Sequence, residues 1–248
     1  PQICPIGADV RHICIASIDA AAAAEVELGL EWGGDVAGRV SLFGPNSLLE
    51  TVFLPLIDGL RRKFPAIELE LHADDAKSDL STDDFDLSIR TGDQRRGRDV
   101  AVALPVAPRA PFASPKLLRR FASPMTPSDL ANLPAVMRMQ EPPVWSFHTS
   151  DSVRKDACPK PAFQVNTMEL ALASAKLGEG VAILPELLVE RDVKNGTLVR
   201  LLPDWSLDPV KVSLPCRAQR LSIPAVAVVR RLIVEECKSR SGPLVGKL

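Results

Sequence analysis

The sequence has 248 residues, 46% hydrophobic and 25% charged. That suits one large or two small globular domains with a sizeable core. Its 30 basic and 31 acidic residues leave a net charge of -1. This argues against a nucleic-acid-binding surface over the whole chain, because phosphate contacts need concentrated Lys and Arg. The one dense basic cluster, Arg95, Arg96 and Arg98, lies beside Asp93 and Asp99 and reads as a solvated loop. Five widely spaced cysteines (Cys4, Cys14, Cys158, Cys216, Cys237) form no CxxC and no Cys/His cluster. No metal or cofactor is therefore expected, and a reducing, cytoplasmic setting is the simplest reading. The chain opens on Pro1 without a signal-peptide pattern, and no apolar run reaches the length of a membrane span.

Residues 8–32 begin the chain order. Val10, Cys14, Ala21, Ala24 and Leu28 recur at helical spacing among alanines, before Gly33, Gly34 and Gly38 break the pattern. A linker or dimerisation helix is expected here; a frayed terminal helix is the alternative. Val40–Phe43 then reads as a strand and Gly44–Ser47 as a turn. Leu48–Lys63 reads as a helix whose apolar face carries Leu49, Val52, Phe53, Leu56, Ile57 and Leu60. Phe64-Pro65 stops it. Ile67–His72 alternates as a strand, Ala76–Ser81 as a helical turn, and Phe85–Ile89 and Val100–Leu104 as strands. This βα alternation predicts a largely parallel sheet with covering helices.

Three prolines within Pro105–Pro111 suggest an extended crossover, since proline cannot donate to a ladder. A second series follows. Its strands fall near 112–113, 135–139, 163–165, 181–184 and 198–201, and its helices near 116–121, 168–177 and 185–193. Val210–Leu214 reads as a strand leading to Pro215, a return crossover, and Pro224–Cys237 as a closing helix. The expected organisation is thus two α/β subdomains: 38–110 with 215–240, and 111–214. Ligands of open α/β sheets bind beyond the carboxyl ends of strands. Polar turn residues fall there: Pro45, Asn46 and Ser47; Arg90 and Thr91; Ser114; Asn166 and Thr167.

Each has a plain structural alternative. Asn46 and Ser47 act as helix N-caps, either alone or with a ligand on the same N–H groups. Thr167 holds the equivalent place in the second series. Arg90 either clamps a carboxylate or pairs with Asp86 or Asp93. Ser114 contacts a ligand or caps the following helix. Trp145 reads as core packing. Gly178 and Gly180 punctuate the backbone and form no dinucleotide fingerprint. No catalytic constellation is present: His12, His72 and His148 are scattered, and there is no HExxH, GxSxG or P-loop. An enzyme is not expected.

Several segments together resemble the effector-binding domain of LysR-type transcriptional regulators. GRVSLFGPNSLLETVFLPLIDGLRRKFPAIELELH is similar to the family's opening strand, helix and strand. FDLSIRTGD resembles its F-D-x-x-I-R-x-G segment, and ASPKLLRRFASPMTPSDL the start of its second lobe. VNTMELALASAKLGEGVAILPELLVERDVKNGTLVRLLPDW and VSLPCRAQRLSIPAVAVVRRLIVE are similar to its later stretches, and Trp145-Ser146-Phe147 also fits. The departures are Ala122, where the family often has glycine, and the apolar run from His12 to Ile15.

The resemblance implies a periplasmic-binding-protein-like fold of type 2. Two Rossmann-like subdomains would be joined by two crossover strands, after a linker helix. A small-molecule effector, an organic acid by the electrostatics of facing helix starts, would sit in the cleft between them. It also implies a homodimer or homotetramer, no membrane, and DNA contact only through an N-terminal domain absent from this chain. The alternative is a stand-alone solute-binding protein of the periplasmic type.

Overall fold

The structure, a computed structural model, describes residues 36–74, 84–92, 99–104, 108–208 and 210–239. The expected linker helix at 8–32, the helical turn at Ala76–Ser81 and the arginine cluster at 95–98 lie outside them. In chain order the elements begin with β1 (Gly38–Gly44) and α1. α1 is a continuous helical stretch made of an α turn (Asn46–Leu48), a π segment (Leu49–Phe53) and an α helix (Leu54–Lys63). Next come β2 (Ile67–Ala73), β3 (Leu87–Ser88), β4 (Arg90–Thr91) and β5 (Asp99–Leu104). Then follow β6 (Arg109–Ala113), α2 (Pro115–Leu118), β7 (Pro134–Arg138), β8 (Trp145–His148), β9 (Arg154–Ala157) and β10 (Lys160–Val165). The chain ends through α3 (Met168–Leu177), β11 (Ala182–Pro185), α4 (Glu186–Lys194), β12 (Val199–Arg200), β13 (Ser206–Leu207), β14 (Val212–Arg217) and α5 (Pro224–Ser239).

The described residues fall into two compact units. Unit one takes 36–74, 84–92, 99–104 and 211–239; unit two takes 108–208 and 210. The chain therefore changes units between 104 and 108 and between 210 and 211, not at 110/111 and 214/215. Hydrogen bonding gives the reason. β6 is a central strand of the order β11-β6-β12, and β14 of the order β4-β14-β5. Each proline-bearing strand thus belongs wholly to one sheet. Pro111 is tolerated there because its nitrogen faces past the end of β12, which pairs only with Phe112 and Ala113, so no ladder donor is required; its carbonyl, on the same side, accepts from the Leu201 N–H at 2.8 Å. Pro215 lies beyond the reach of β4, which pairs only with Val212 and Ser213.

The expected largely parallel sheet is corrected to a mixture. In unit one the order β2-β1-β3 is parallel, while β4 and β5 flank β14 antiparallel. In unit two β10 runs parallel to β7, and a parallel bridge joins Ala135 to Val181. β11 and β12 run antiparallel to β6, and β8 pairs antiparallel with β9 and β13. The β8–β9 hairpin gave no strand signal because RKDA is charged and exposed for three of its four residues.

Strand alternation builds the core of unit two. Ala113, Ala135, Met137 and Ile183 pack on one face with Leu117, Trp145 and Phe147. Their neighbours Phe112, Val136, Ala182 and Leu184 pack on the other with Met168, Ala171, Ala175 and Val189 of α3 and α4. Trp145 is 3% exposed, the core residue expected. Unit one buries Val40, Leu42, Phe53, Leu60, Leu87, Leu214, Val226 and Val229. The π segment of α1 precedes Pro55, and the Leu54 N–H reaches back five residues to the Leu49 carbonyl. Widening the helix there relieves the clash that a proline ring makes with the preceding turn.

Candidate functional site

In unit two the parallel pair β7–β10 delivers both chains to one edge. The Met139 N–H bonds the Val165 carbonyl at 2.8 Å, and Gln140 Nε2 donates to the Asn166 carbonyl at 3.2 Å. Immediately beyond, Thr167 caps α3: its Oγ1 accepts from the Leu170 N–H at 3.3 Å. A ten-residue helix therefore starts at the carboxyl edge of a parallel sheet, where its N–H groups and dipole favour an anion. Asn166 and Thr167 are consecutive residues at this helix start.

Ser114 is not beside them. It is 2% exposed and caps α2 through Leu117 N–H···Oγ at 3.3 Å. It packs under Gly178, which ends α3 in a left-handed turn (φ 81°), and a Cβ on Gly178 would lie 3.0 Å from its hydroxyl. Ser114 thus sits at one end of α3 and Thr167 at the other, about 15 Å apart at the helical rise. Its geometry is that of the capping role.

In unit one the turn after β1 differs from the expected capping. Pro45, not Asn46 or Ser47, is the N-cap residue, and its carbonyl accepts from Leu48 and Leu49 at 3.1 and 3.0 Å. Proline's fixed φ, here -58°, sets the chain into the first turn, so Asn46 and Ser47 are already helical. Asn46 is exposed. Ser47 is 7% exposed, and its carbonyl accepts from Thr51 Oγ1 at 2.6 Å. Their N–H groups lie ahead of the first intrahelical bonds. The helix start expected at Leu48 is thereby moved to Asn46.

Arg90 lies at the same edge, one residue past Ile89, whose N–H bonds the Phe43 carbonyl at 2.7 Å. Its guanidinium lies over the Phe43 ring at 4.9 Å, and Phe43 stacks on Phe85 at 5.0 Å. Asp86, one of the two acids expected to hold Arg90, accepts from the Ser41 N–H and Oγ, each at 2.9 Å, and pairs with Arg220 at 3.1 Å. Asp93 lies outside the described residues. Thr91 pairs with Val212 across β4–β14.

Sequence reasoning missed a charged group in unit two. Arg109 opens β6, pairs in register with Pro185, and so stands at the carboxyl edge of β11. It is largely buried. Its Nη2 donates to the Asp208 carbonyl at 3.1 Å, and its Nε is buried with no acceptor among the described residues. Burial lowers the pKa of Arg109. Glu141 and Asp208 oppose that shift, while Arg138 adds to it. Arg138 ends β7 and bonds Glu141 through Nε at 3.1 Å. A lone arginine between Pro108 and the buried run Ala110–Ala113 was the available signal. A second buried charge, Glu186 at the start of α4, pairs with Arg200 at 2.8 Å, and burial raises its pKa.

Among the described residues no three His, Cys, Asp or Glu side chains are grouped to hold a metal ion, and no helix is long and apolar enough to cross a membrane.

The family model for the LysR substrate binding domain matches residues 33–238. Among curated proteins, the HTH-type transcriptional regulator PtxR of Pseudomonas aeruginosa is 29% identical over 176 residues. That alignment covers 70% of this chain and 56% of PtxR. The uncharacterised HTH-type regulator YhjC of Escherichia coli is 28% identical over 185 residues, covering 72% of this chain and 61% of YhjC. The chain thus spans somewhat over half the length of these relatives. In fold, CrgA of Neisseria meningitidis, a LysR-type transcriptional regulator, matches at a TM-score of 0.74. It is 21% identical, with 95% of this chain and 80% of CrgA covered. The CrgA regulatory domain alone matches at 0.72 and 20% identity, over 81% of this chain and 99% of the domain.

Proposed function

Because this chain belongs to the LysR substrate-binding-domain family, we propose that it senses a small molecule for a transcriptional regulator. In this reading the candidate effector contacts are the helix starts at the carboxyl edge of each unit, each taken by itself. Asn166 and Thr167 contribute from unit two; Pro45, Asn46, Ser47, Arg90 and Thr91 contribute from unit one. The observation that carries it is the Thr167-capped start of α3 at the end of a parallel strand pair. That is a preorganised site for a ligand carboxylate, built from backbone groups that need no reorganisation.

Binding acts only if the ligand prefers one arrangement of the protein over another. We place that arrangement in a homodimer or homotetramer in the cytoplasm. DNA contact, in this proposal, belongs to a part of the regulator outside the stretch aligned here. The curated relatives are regulators, not enzymes or solute carriers.

The test is calorimetric titration with a panel of small organic acids, followed by light scattering with and without any binder. Binding that falls at least tenfold in Thr167→Val, with a ligand-dependent change in oligomer size, supports the reading. A binder indifferent to Thr167, or a mass unchanged by saturating ligand, refutes the corresponding half.

A further inference from the structure

A cation that cannot lose its proton is costly to bury unless an anion faces it. Arg109 is such a cation. Arg138 is matched by Glu141 at 3.1 Å, and Glu186 by Arg200 at 2.8 Å. Arg109 meets only a neutral carbonyl, that of Asp208, at 3.1 Å. No carboxylate of the described residues stands within ion-pair distance of it. The Asp208 side chain is 64% exposed and lies 3.6 Å from His148 Nδ1. The Nε of Arg109 is buried without an acceptor among the described residues. The residue lies at the edge where Arg138 ends β7 and Asn166 leads into α3.

We propose that Arg109 is the anion-recognising residue of unit two, and that the group it takes is a carboxylate. Two oxygens in a plane match the guanidinium fork. One negative charge matches Arg109, which has no ion pair among the described residues. A doubly charged phosphate would bring its second charge against Glu141 and Asp208. This inference rests on the effector-binding reading for its biological role, but the site itself is made by unit two alone. It assigns specificity to a residue distinct from the polar turn residues already described: Thr167 and α3 favour any anion, whereas Arg109 selects the planar one.

The experiment follows the arginine Nε–H resonances of the full chain by ¹⁵N NMR. Sodium acetate, benzoate, inorganic phosphate and neutral acetamide are titrated separately to about 50 mM, which reaches affinities weaker than millimolar. The expected result is a saturable shift of the Arg109 signal with acetate and benzoate, a weaker one with phosphate, and none with acetamide. Arg109→Gln should weaken carboxylate binding by roughly tenfold or more, and Arg109→Lys by less, as a cation without the fork does.

Arg109→Gln should melt near the wild-type temperature, because the lost hydrogen bond to the Asp208 carbonyl is offset by removing a cation that has no ion pair among the described residues. A variant that fails to fold, or melts well below wild type, shows that Arg109 is structural and overturns the proposal. So does an Arg109 signal indifferent to both carboxylates, or carboxylate affinity unchanged in Arg109→Gln. If a ligand still binds in a Thr167-dependent way while Arg109→Gln is neutral, the effector reading survives and this inference alone fails.

Discussion

Gly180→Ala tests the packing that holds unit two in register. A Cβ on Gly180 would lie 2.9 Å from the Pro134 carbonyl oxygen, 3.0 Å from the Ala135 carbonyl carbon and 3.0 Å from the Val136 nitrogen. All three are backbone atoms of β7, so no side chain can swing aside. Ordinary contact begins near 3.4 Å, so β7 and the Val181 segment must separate by about 0.5 Å. The bonds that span this gap are Val181 N–H to Pro134 at 2.8 Å and Val136 N–H to Val181 at 2.9 Å. Stretching both weakens two hydrogen bonds of about 1 kcal/mol each. Overpacking adds about 1–3 kcal/mol. A total of about 2–4 kcal/mol is a large part of the stability of an ordinary domain. At about 4–8 °C per kcal/mol for a unit of this size, the melting temperature should fall by on the order of 10 °C. Tryptophan fluorescence during thermal or urea unfolding, followed in a Trp32→Phe background, reads this unit, because Trp145 and Trp205, the other two of the three tryptophans, belong to it. Gly59→Ala is the control. It sits inside α1 with open space at its Cβ and should gain about 0.5–1 kcal/mol. A Gly180→Ala protein melting within about 2 °C of wild type refutes the argument, since even 1 kcal/mol would exceed that.

Asp86→Ala should cost about 2–3 kcal/mol in urea unfolding, because it removes the acceptor for Ser41 and the partner of Arg220; Arg220→Ala should cost less, as that side chain is 46% exposed. Thr167→Val should cost about 0.5–2 kcal/mol for the lost α3 cap, measured the same way. The pH dependence should have two opposite contributions. Glu186 has a folded pKa raised by burial, so its contribution is complete below its unfolded value and is lost as pH rises through the folded one. Asp129 has a folded pKa lowered by the backbone N–H groups of Thr126 and Met125 and by the Thr126 hydroxyl. Its contribution is present above the unfolded value and is lost as pH falls through the folded one. Stability–pH curves of Glu186→Gln and Asp129→Asn should each flatten in their own window; a curve that keeps the wild-type slope there rejects the assignment.

Much of this was legible in the sequence because it is local. Helical periodicity placed α3 at Met168–Leu177 without error, since Thr167 at its start and Gly178 at its end are read from single residues. An apolar run located β1 and period-two alternation located β2, and the quoted motifs pointed to the family that matches residues 33–238. What the sequence left undecided depends on partners distant along the chain. Pro111 and Pro215 suggested crossovers between the subdomains, yet each lies in a strand hydrogen-bonded on both sides for part of its length. Ser114 and Thr167 share the signature of a helix cap, and only the antiparallel run of β6 against β11 puts them at opposite ends of α3. Arg109 looked like one arginine among many. Burial beside Asp208 and the pairing of Glu141 with Arg138 are what leave its charge unmatched. Backbone propensity is written residue by residue, whereas desolvation and ion pairing depend on which residues the fold brings within a few ångströms.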